Sequence, residues 1–175
     1  TGATGGVGSV AVGILSKLGY AVTGVSGKPT AKDFLGPLGI DKIVGRDAFL
    51  ENSDRPLLKP IWAGAVDTVG GDPLATAIKS THPLGVVTCC GNAASPKLPI
   101  TVFPFILRGV SLMGVNSQGC PMDIRKNVWE KLSHDWKFDG LDSVCREIAL
   151  AELPDRIDVI LKGGAWGRTV VRLHP

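Results

Sequence analysis

The hydrophobic and polar positions in the first part of the chain predict two helices. A stripe of apolar residues with helical spacing follows the first glycines of the chain: Val7, Val10, Ala11, Ile14, Leu15 and Leu18. Gly19 then stands where a left-handed C-terminal cap is expected, so the first helix ends there. Residues 30–38 predict a second, shorter helix, with Phe34 and Leu35 turned inward.

Short apolar runs alternate with these helices and with turns. They predict five strands, at residues 20–26, 40–45, 62–69, 84–90 and 110–115. A helix is expected at 72–79, and His82-Pro83 should end it. This alternation is typical of an α/β fold with a doubly wound parallel sheet. Such a sheet has a strand before the first helix, and nothing at residue 1 leaves room for it. The prediction is therefore a Rossmann sheet that lacks its first strand.

The pattern changes after residue 120. An amphipathic helix is expected at 122–136, a strand at 146–150, a helix at 151–161 and a strand at 169–173, with glycine turns before the last strand. These pieces do not continue the earlier alternation. We therefore divide the chain into a nucleotide-binding domain at 1–120 and a linking helix with a return segment of another domain at 121–175.

Composition and charge argue against several classes of function. The chain has 175 residues, of which 44% are hydrophobic, enough for one sizeable core. Its formal charge is +3, and the scattered Lys and Arg residues do not favour nucleic-acid binding. No apolar run is long enough to span a membrane and no signal peptide stands at the start, so a cytoplasmic protein is expected. The four cysteines lack the spacing of metal ligands, so no metal is expected.

The first candidate ligand-binding motif is the glycine-rich turn at residues 1–8, T-G-A-T-G-G-V-G. Glycines let the backbone turn sharply and let an anion approach peptide N-H groups. The N-terminus of the following helix would point at whatever lies over residues 5–7, and the expected anion is a pyrophosphate. Glycine turns also simply connect strands to helices, so this motif alone is weak evidence.

The end of the predicted strand at residues 20–26 is more informative about the ligand. NAD-binding folds place an acidic residue there to bind the ribose hydroxyls, whereas this chain has Ser26, Gly27 and Lys28. A hydroxyl, space and a cation suit a 2′-phosphate, so NADP(H) is predicted over NAD(H). The alternative is an exposed lysine in a loop. Arg46, after the predicted strand at 40–45, could reach the same phosphate or could pair with Asp47 on the surface.

Two further positions lie at the carboxyl ends of predicted strands, where ligands bind in open α/β sheets. Asp67 could bond a ribose, or it could cap the turn that follows its strand. Residues 91–94 form a loop of small side chains that would let a flat ring approach.

Several longer motifs together resemble a family. They are A-T-G-G-V-G, S-G-K at 26–28, W-A-G-A-V-D-T-V-G around residue 67, P-F-I-L-R-G-V-S-L-M-G-V-N-S at 104–117 and the closing G-R-T-V-V. The chain resembles the zinc-free quinone oxidoreductase branch of the medium-chain dehydrogenase/reductases, and within it the acrylyl-CoA reductase-like subgroup.

The resemblance implies NADPH as cofactor and hydride transfer to an activated alkene, such as an acrylyl-CoA-like thioester, or to a quinone. It also implies which residues hold the cofactor: Thr4, Gly5, Gly6 and Val7 at the pyrophosphate, Ser26, Gly27, Lys28 and Arg46 at the 2′-phosphate, and Asn92, Ile106 and Ser117 at the nicotinamide half. Family members carry a GroES-like domain before the glycine turn, to which the segment after residue 120 would return. They commonly dimerise through the strand at 110–115.

These considerations favour the cofactor-binding part of an NADPH-dependent oxidoreductase, inactive without the GroES-like domain. The alternative is a non-catalytic nucleotide-binding or interaction domain. No catalytic residue is assigned, because Tyr20 stands at the wrong end of its strand and Cys90 is expected to pack as a small apolar group.

Overall fold

Short strands alternate with helices in the computed structural model, which describes residues 1–173. Residues 174 and 175, the end of the predicted return segment, lie outside the described residues. The helices are α1 (Gly6–Lys17), α2 (Ala31–Leu35), α3 (Arg46–Leu50), α4 (Gly71–Lys79), α5 (Phe103–Arg108), α6 (Met122–Ser133) and α7 (Leu153–Leu161). The strands are β1 (Thr23–Val25), β2 (Lys42–Val44), β3 (Trp62–Asp67), β4 (Thr81–Cys89), β5 (Ser111–Gly114), β6 (Cys145–Ala149) and β7 (Arg168–Arg172).

Every strand pairing in the described residues is parallel. β1 pairs with β2, β4 lies between β3 and β5, and β6 pairs with β7. The predicted α/β class with a parallel sheet is confirmed. Each of the five predicted strand regions overlaps a strand of the structure.

A cleft separates the pair β1–β2 from the sheet β3–β4–β5. Its volume is about 860 Å³, and residues of β1 and β3 line its two sides. Residues 1–3 bridge the cleft at the carboxyl ends of both strands: the Thr1 amine donates to the Val66 carbonyl at 2.9 Å, and the Ala3 N-H donates to the Val25 carbonyl at 3.2 Å. Among residues 1–173, no strand joins the two sheets across the cleft.

Helix α1 packs Val10, Ile14 and Leu15 of the predicted apolar stripe against the core, but it buries other residues more completely. Its buried residues are Gly8, Ser9, Val12 and Gly13, whereas Val7 is 45% exposed. The reason is close approach: a Cβ at Gly8 would overlap the backbone of residues 2–3, and a Cβ at Gly13 would overlap the Phe138 ring. Small residues form this contact, and a pattern of large apolar residues does not reveal it.

Strand β4 begins earlier than the sequence predicted. It starts at Thr81 and runs through His82 and Pro83, which do not separate the helix from the strand. The register with β3 jumps between the pairs Trp62–Thr81 and Gly64–Val86. Proline has no N-H to donate, so it is tolerated where this irregularity interrupts the ladder.

The segment after residue 120 also departs from the expected pattern. β6, α7 and β7 form a parallel βαβ unit, so the alternation continues there. Phe138 and Val144 from this segment pack in one core cluster with Val12 and Leu35. The segment thus packs against the helix that follows the glycine turn. The domain boundary at 120/121 stays a prediction.

Candidate functional site

The glycine turn presents the N-terminus of α1. Gly5 is the N-cap, and the first helical hydrogen bond runs from the Ser9 N-H to the Gly5 carbonyl at 2.9 Å. The N-H groups of the first turn, residues 6–8, therefore have no carbonyl of the helix to bond. No acidic side chain stands in that turn. The positive end of the helix dipole and these N-H groups suit an anion.

Hydrogen bonds connect the turn to the end of β1. The hydroxyls of Thr4 and Ser26, both buried, lie 3.2 Å apart, and the Lys28 N-H donates to the Ser26 hydroxyl oxygen at 3.2 Å. Two regions predicted as phosphate sites, 22 residues apart in sequence, are thus adjacent. The Ser26 hydroxyl fixes the loop to the turn, and its role as a phosphate donor stays a prediction.

The Lys28 ammonium is held by a loop near the C-terminus. It donates to the Ala165 carbonyl and lies 4.6 Å from the centroid of the Trp166 ring, which packs edge-on against Phe34. Burial lowers the pKa of Lys28, and the nearby guanidinium groups of Arg46 and Arg156 lower it further. Cations therefore crowd this end of the site, and such crowding favours an anionic ligand.

Arg46 is the first residue of α3, and its side chain lies against Gly27. A Cβ at Gly27 would stand 3.0 Å from the Arg46 Nε, so a glycine leaves room for this approach. Within residues 1–173 the one salt bridge joins Arg172 and Glu147. The surface pair of Arg46 with Asp47 is therefore not formed, and the structure brings Arg46 to the Ser26–Lys28 loop.

Three residues of the C-terminal segment lie at this site although the sequence reasoning did not select them: Arg156, Trp166 and Arg168. The Gly167 N-H donates to the Thr4 carbonyl at 3.0 Å, which brings the following Arg168 against Gly6. Arg156 is buried and donates to the Thr169 hydroxyl at 2.7 Å. The closing G-R motif is one of the motifs that resemble the family. Its contact with the glycine turn could not be predicted from the spacing of residues along the chain, because the two segments are far apart in sequence.

Asp67 caps the turn after β3. Its carboxylate is fully buried and accepts hydrogen bonds from the Gly70 N-H at 2.8 Å and from the Thr1 hydroxyl. Of the two alternatives for Asp67, the structure supports turn capping.

The residues expected at the nicotinamide half lie apart from these contacts. Asn92 and Ser117 are exposed and follow the carboxyl ends of the neighbouring strands β4 and β5, while Ile106 is 68% exposed on α5. Among the described residues, no side-chain hydrogen bond joins them. Topology places Asn92 and Ser117 at one sheet edge, and packing does not fix their side chains.

Cys90, close to this edge, is not activated. Its thiol donates to the Asp67 carbonyl at 3.3 Å. Burial raises the pKa of the thiol, and the charges of Asp67 and Cys89 raise it further. A thiol with a raised pKa stays protonated and is a poor nucleophile.

Residues 1–173 contain neither a candidate metal site nor a candidate membrane-spanning helix. Across 1–173, His, Cys, Asp and Glu side chains nowhere gather in a group of three or more that could hold a metal ion. None of the helices there has the length and apolar character needed to cross a bilayer.

Several known proteins are similar to this chain in both sequence and fold. Acrylyl-CoA reductase AcuI of Ruegeria pomeroyi is 45% identical over 174 residues, which cover 99% of this chain and 53% of that protein. YhfP of Bacillus subtilis, named as a quinone oxidoreductase, is 43% identical over the same shares. The chain thus spans about half the length of the curated relatives it matches.

Solved structures of oxidoreductases are also similar to this chain in fold and sequence. The yhdH oxidoreductase of Salmonella enterica, crystallised with NADP, is 42% identical with a TM-score of 0.92, over 98% of this chain and 52% of that one. Bacillus subtilis yhfP, crystallised with NAD, gives a TM-score of 0.91 at 42% identity, over the same shares. The Rossmann-like fold and the resemblance noted in the sequence are confirmed. Because the family model described as zinc-binding dehydrogenase matches residues 6–134, more than half of the chain, the chain belongs to that family.

Proposed function

We propose that this chain is the cofactor-binding part of an NADPH-dependent oxidoreductase that transfers hydride to an activated alkene, such as an acrylyl-CoA-like thioester, or to a quinone. The observation that carries the proposal is the position of Arg46 against Gly27 and close to the neighbouring Lys28, beside the glycine turn. Two cations at that position, with no acidic residue at the end of β1, suit a 2′-phosphate.

The residues present fit the cofactor at its phosphate end. Residues Thr4 to Val7 would hold the pyrophosphate, because the α1 N-terminus offers N-H groups and glycine there allows close approach. Ser26, Gly27, Lys28 and Arg46 would hold the 2′-phosphate. In support, yhdH of Salmonella enterica was crystallised with NADP, although yhfP of Bacillus subtilis was crystallised with NAD.

Asn92, Ile106 and Ser117 would line the nicotinamide half. When bound, the cofactor supplies the hydride, and the chain orients its ring at the carboxyl edge of the sheet. Placement beside β4 and β5 supports this assignment for Asn92 and Ser117. The names of AcuI and YhfP support the two substrate classes. We assign no proton donor.

The exposed edge of β5 is proposed as a dimer contact. β5 is the outer strand of its three-stranded sheet, and Met113 is exposed on it. Pairing with a second copy would cover this edge. We also propose that the protein acts in the cytoplasm.

The test is a titration of the full-length protein with NADPH and with NADH, followed by coenzyme fluorescence. Lys28→Ala is expected to weaken NADPH binding by about 30-fold, since hydrogen bonds to charged groups are worth about 1.5–3 kcal/mol, and to leave NADH binding unchanged. Lys32→Ala is the matched control, because Lys32 is an exposed lysine on the neighbouring helix α2. Equal affinity for both coenzymes in the wild-type protein would contradict the 2′-phosphate assignment.

A non-catalytic nucleotide-binding or interaction domain remains the second candidate. The cleft between β1 and β3 and exposed apolar side chains such as Trp129 on α6 favour a surface that another polypeptide covers. Loss of nicotinamide absorbance on mixing with NADPH and acryloyl-CoA distinguishes the candidates. The reductase proposal requires turnover by the full-length protein and none by residues 1–175 alone.

A further inference from the structure

The indole ring of Trp166 lies against the ammonium of Lys28. The Lys28 Nζ stands 4.6 Å from the centroid of the ring, and the same ammonium donates a hydrogen bond to the carbonyl of the preceding residue, Ala165. A cation over the face of an indole is attracted by the negative charge of that face. One short loop therefore contacts the Lys28 ammonium twice, once through its backbone and once through an aromatic side chain.

The Trp166 ring is itself held in place by its neighbours. It packs edge-on against the Phe34 ring, with the two centroids 5.3 Å apart and the ring planes at 61°. The N-H of the next residue, Gly167, donates to the Thr4 carbonyl at 3.0 Å, so the loop is attached to the glycine turn. Because two separate contacts fix Trp166, its ring defines a position for the Lys28 ammonium.

These contacts leave the charge of Lys28 available to a ligand. Among residues 1–173, no carboxylate forms an ion pair with Lys28. A lysine ammonium has three N-H donors, and the Ala165 carbonyl accepts only one of them. A carbonyl and an aromatic ring orient a cation without neutralising it. The Lys28 side chain is therefore ordered before a ligand arrives, and less conformational freedom is lost when the ligand binds.

We infer that Trp166 is a positioning residue for coenzyme choice, whose ring holds the Lys28 ammonium where the 2′-phosphate of NADPH binds. The inference rests on the proposed function and deepens it, because it adds an aromatic residue of the C-terminal segment to the groups that select the coenzyme. Since Trp166 acts through Lys28, it should affect ligands that carry a 2′-phosphate and no others.

The test measures the dissociation constants of NADPH, NADH and 2′,5′-ADP in the full-length protein. The last ligand carries the 2′-phosphate without the nicotinamide half. Trp166→Leu should weaken binding of NADPH and of 2′,5′-ADP about fivefold, because Lys28 then has to be ordered on binding, and should leave NADH binding unchanged. Trp166→Phe, which keeps an aromatic face, should recover part of the loss.

Trp136→Leu is the matched control. Trp136 also belongs to the C-terminal segment and also lies under a lysine, because the Lys131 Nζ stands 5.4 Å from the centroid of its ring. Its replacement removes the same kind of contact at a lysine that is not part of the proposed site. The affinities for all three ligands should therefore stay unchanged in this variant.

A double-mutant cycle tests whether Trp166 acts through Lys28. In a Lys28→Ala background, Trp166→Leu should cause no further loss of NADPH affinity, because the group that the ring positions is already absent. A further loss of about fivefold in that background would mean that the ring contacts the coenzyme itself, and it would overturn the inference.

The remaining outcomes separate this inference from the proposed function. Unchanged NADPH affinity in Trp166→Leu, or equal weakening of NADPH and NADH, would overturn the inference and leave the proposed function standing. Wild-type protein with no preference for NADPH would overturn both. Thermal unfolding checks that each variant is folded. Should Trp166→Leu fail to fold, Trp166→Met, which also lacks an aromatic face, takes its place in the same titrations.

Discussion

The phosphate end and the nicotinamide end of the proposed cofactor site differ in how firmly the protein itself holds their residues. At the phosphate end, Thr4 and Ser26 are buried in contact with each other, and Lys28 is bound to the Ala165 carbonyl. At the nicotinamide end, Asn92, Ile106 and Ser117 are exposed, and among the described residues their side chains make no hydrogen bonds.

This difference assigns different tasks to the two ends. The phosphate end is assembled before any ligand arrives, so its contacts would contribute mainly to affinity and to the choice between coenzymes. Exposed side chains at the nicotinamide end contribute little to the stability of the fold. Their main effect would be on the orientation of the nicotinamide ring. Substitutions at the phosphate end should therefore change coenzyme affinity strongly, whereas substitutions at the nicotinamide end should change affinity little and hydride transfer more.

The largest effect is expected from Phe138→Ala. The Phe138 ring packs on Gly13 of α1 and belongs to the core cluster with Val12 and Val144. Removing a buried aromatic ring costs about 3–5 kcal/mol, which should lower the free energy of unfolding measured in urea by that amount. Because α1 carries the glycine turn, NADPH affinity should fall as well.

Trp129→Ala is the control for that measurement. Trp129 is also an aromatic residue of the C-terminal segment, but its side chain is 65% exposed. Its replacement should change the free energy of unfolding by no more than about 0.5 kcal/mol. If Phe138→Ala cost equally little, the C-terminal segment would not support the phosphate end.

A smaller effect concerns the pH dependence of coenzyme choice. Burial and the guanidinium groups of Arg46 and Arg156 hold the pKa of Lys28 below its usual 10.5 in the free protein. The ammonium that is proposed to bind the 2′-phosphate is therefore lost at lower pH than for an ordinary lysine. As pH rises through that lowered pKa, NADPH affinity should fall by about tenfold while NADH affinity stays constant.

Lys28→Arg separates this cause from a general effect of alkali. An arginine keeps its charge throughout this range, so the preference for NADPH should no longer decline with pH. Dissociation constants for both coenzymes, measured from neutral pH upward, are sufficient. A parallel decline for NADH would show that the loss arises elsewhere in the protein.

The sequence was most informative where neighbours in the chain are neighbours in space. The turn at residues 1–8, helix α1 and the Ser26–Lys28 loop follow from local spacing and from the rule that parallel strands end at one edge. Arg46 was placed by the same rule. Hydrophobic periodicity correctly predicted that Val10, Ile14 and Leu15 pack against the core, but it missed the glycines of α1, which make the closest contacts.

Contacts between the two ends of the chain could not be derived in this way. Lys28 meets Ala165 across 137 residues, and Gly6 meets Arg168 across a longer stretch. Such contacts depend on how β7 packs against the glycine turn. The bulge that admits Pro83 to β4 likewise depends on pairing with β3.

The smallest effects on binding are expected at the nicotinamide end. Asn92→Ala and Ser117→Ala each remove an exposed polar side chain, so the free energy of unfolding should change by no more than about 0.5 kcal/mol. NADPH affinity, measured by the same titration, should change less than about threefold, because most of the proposed binding contacts lie at the phosphate end. Hydride transfer in the full-length protein should fall by a larger factor, because a mispositioned ring is less reactive. An affinity loss as large as that of Lys28→Ala would show that the nicotinamide end is as firmly held as the phosphate end.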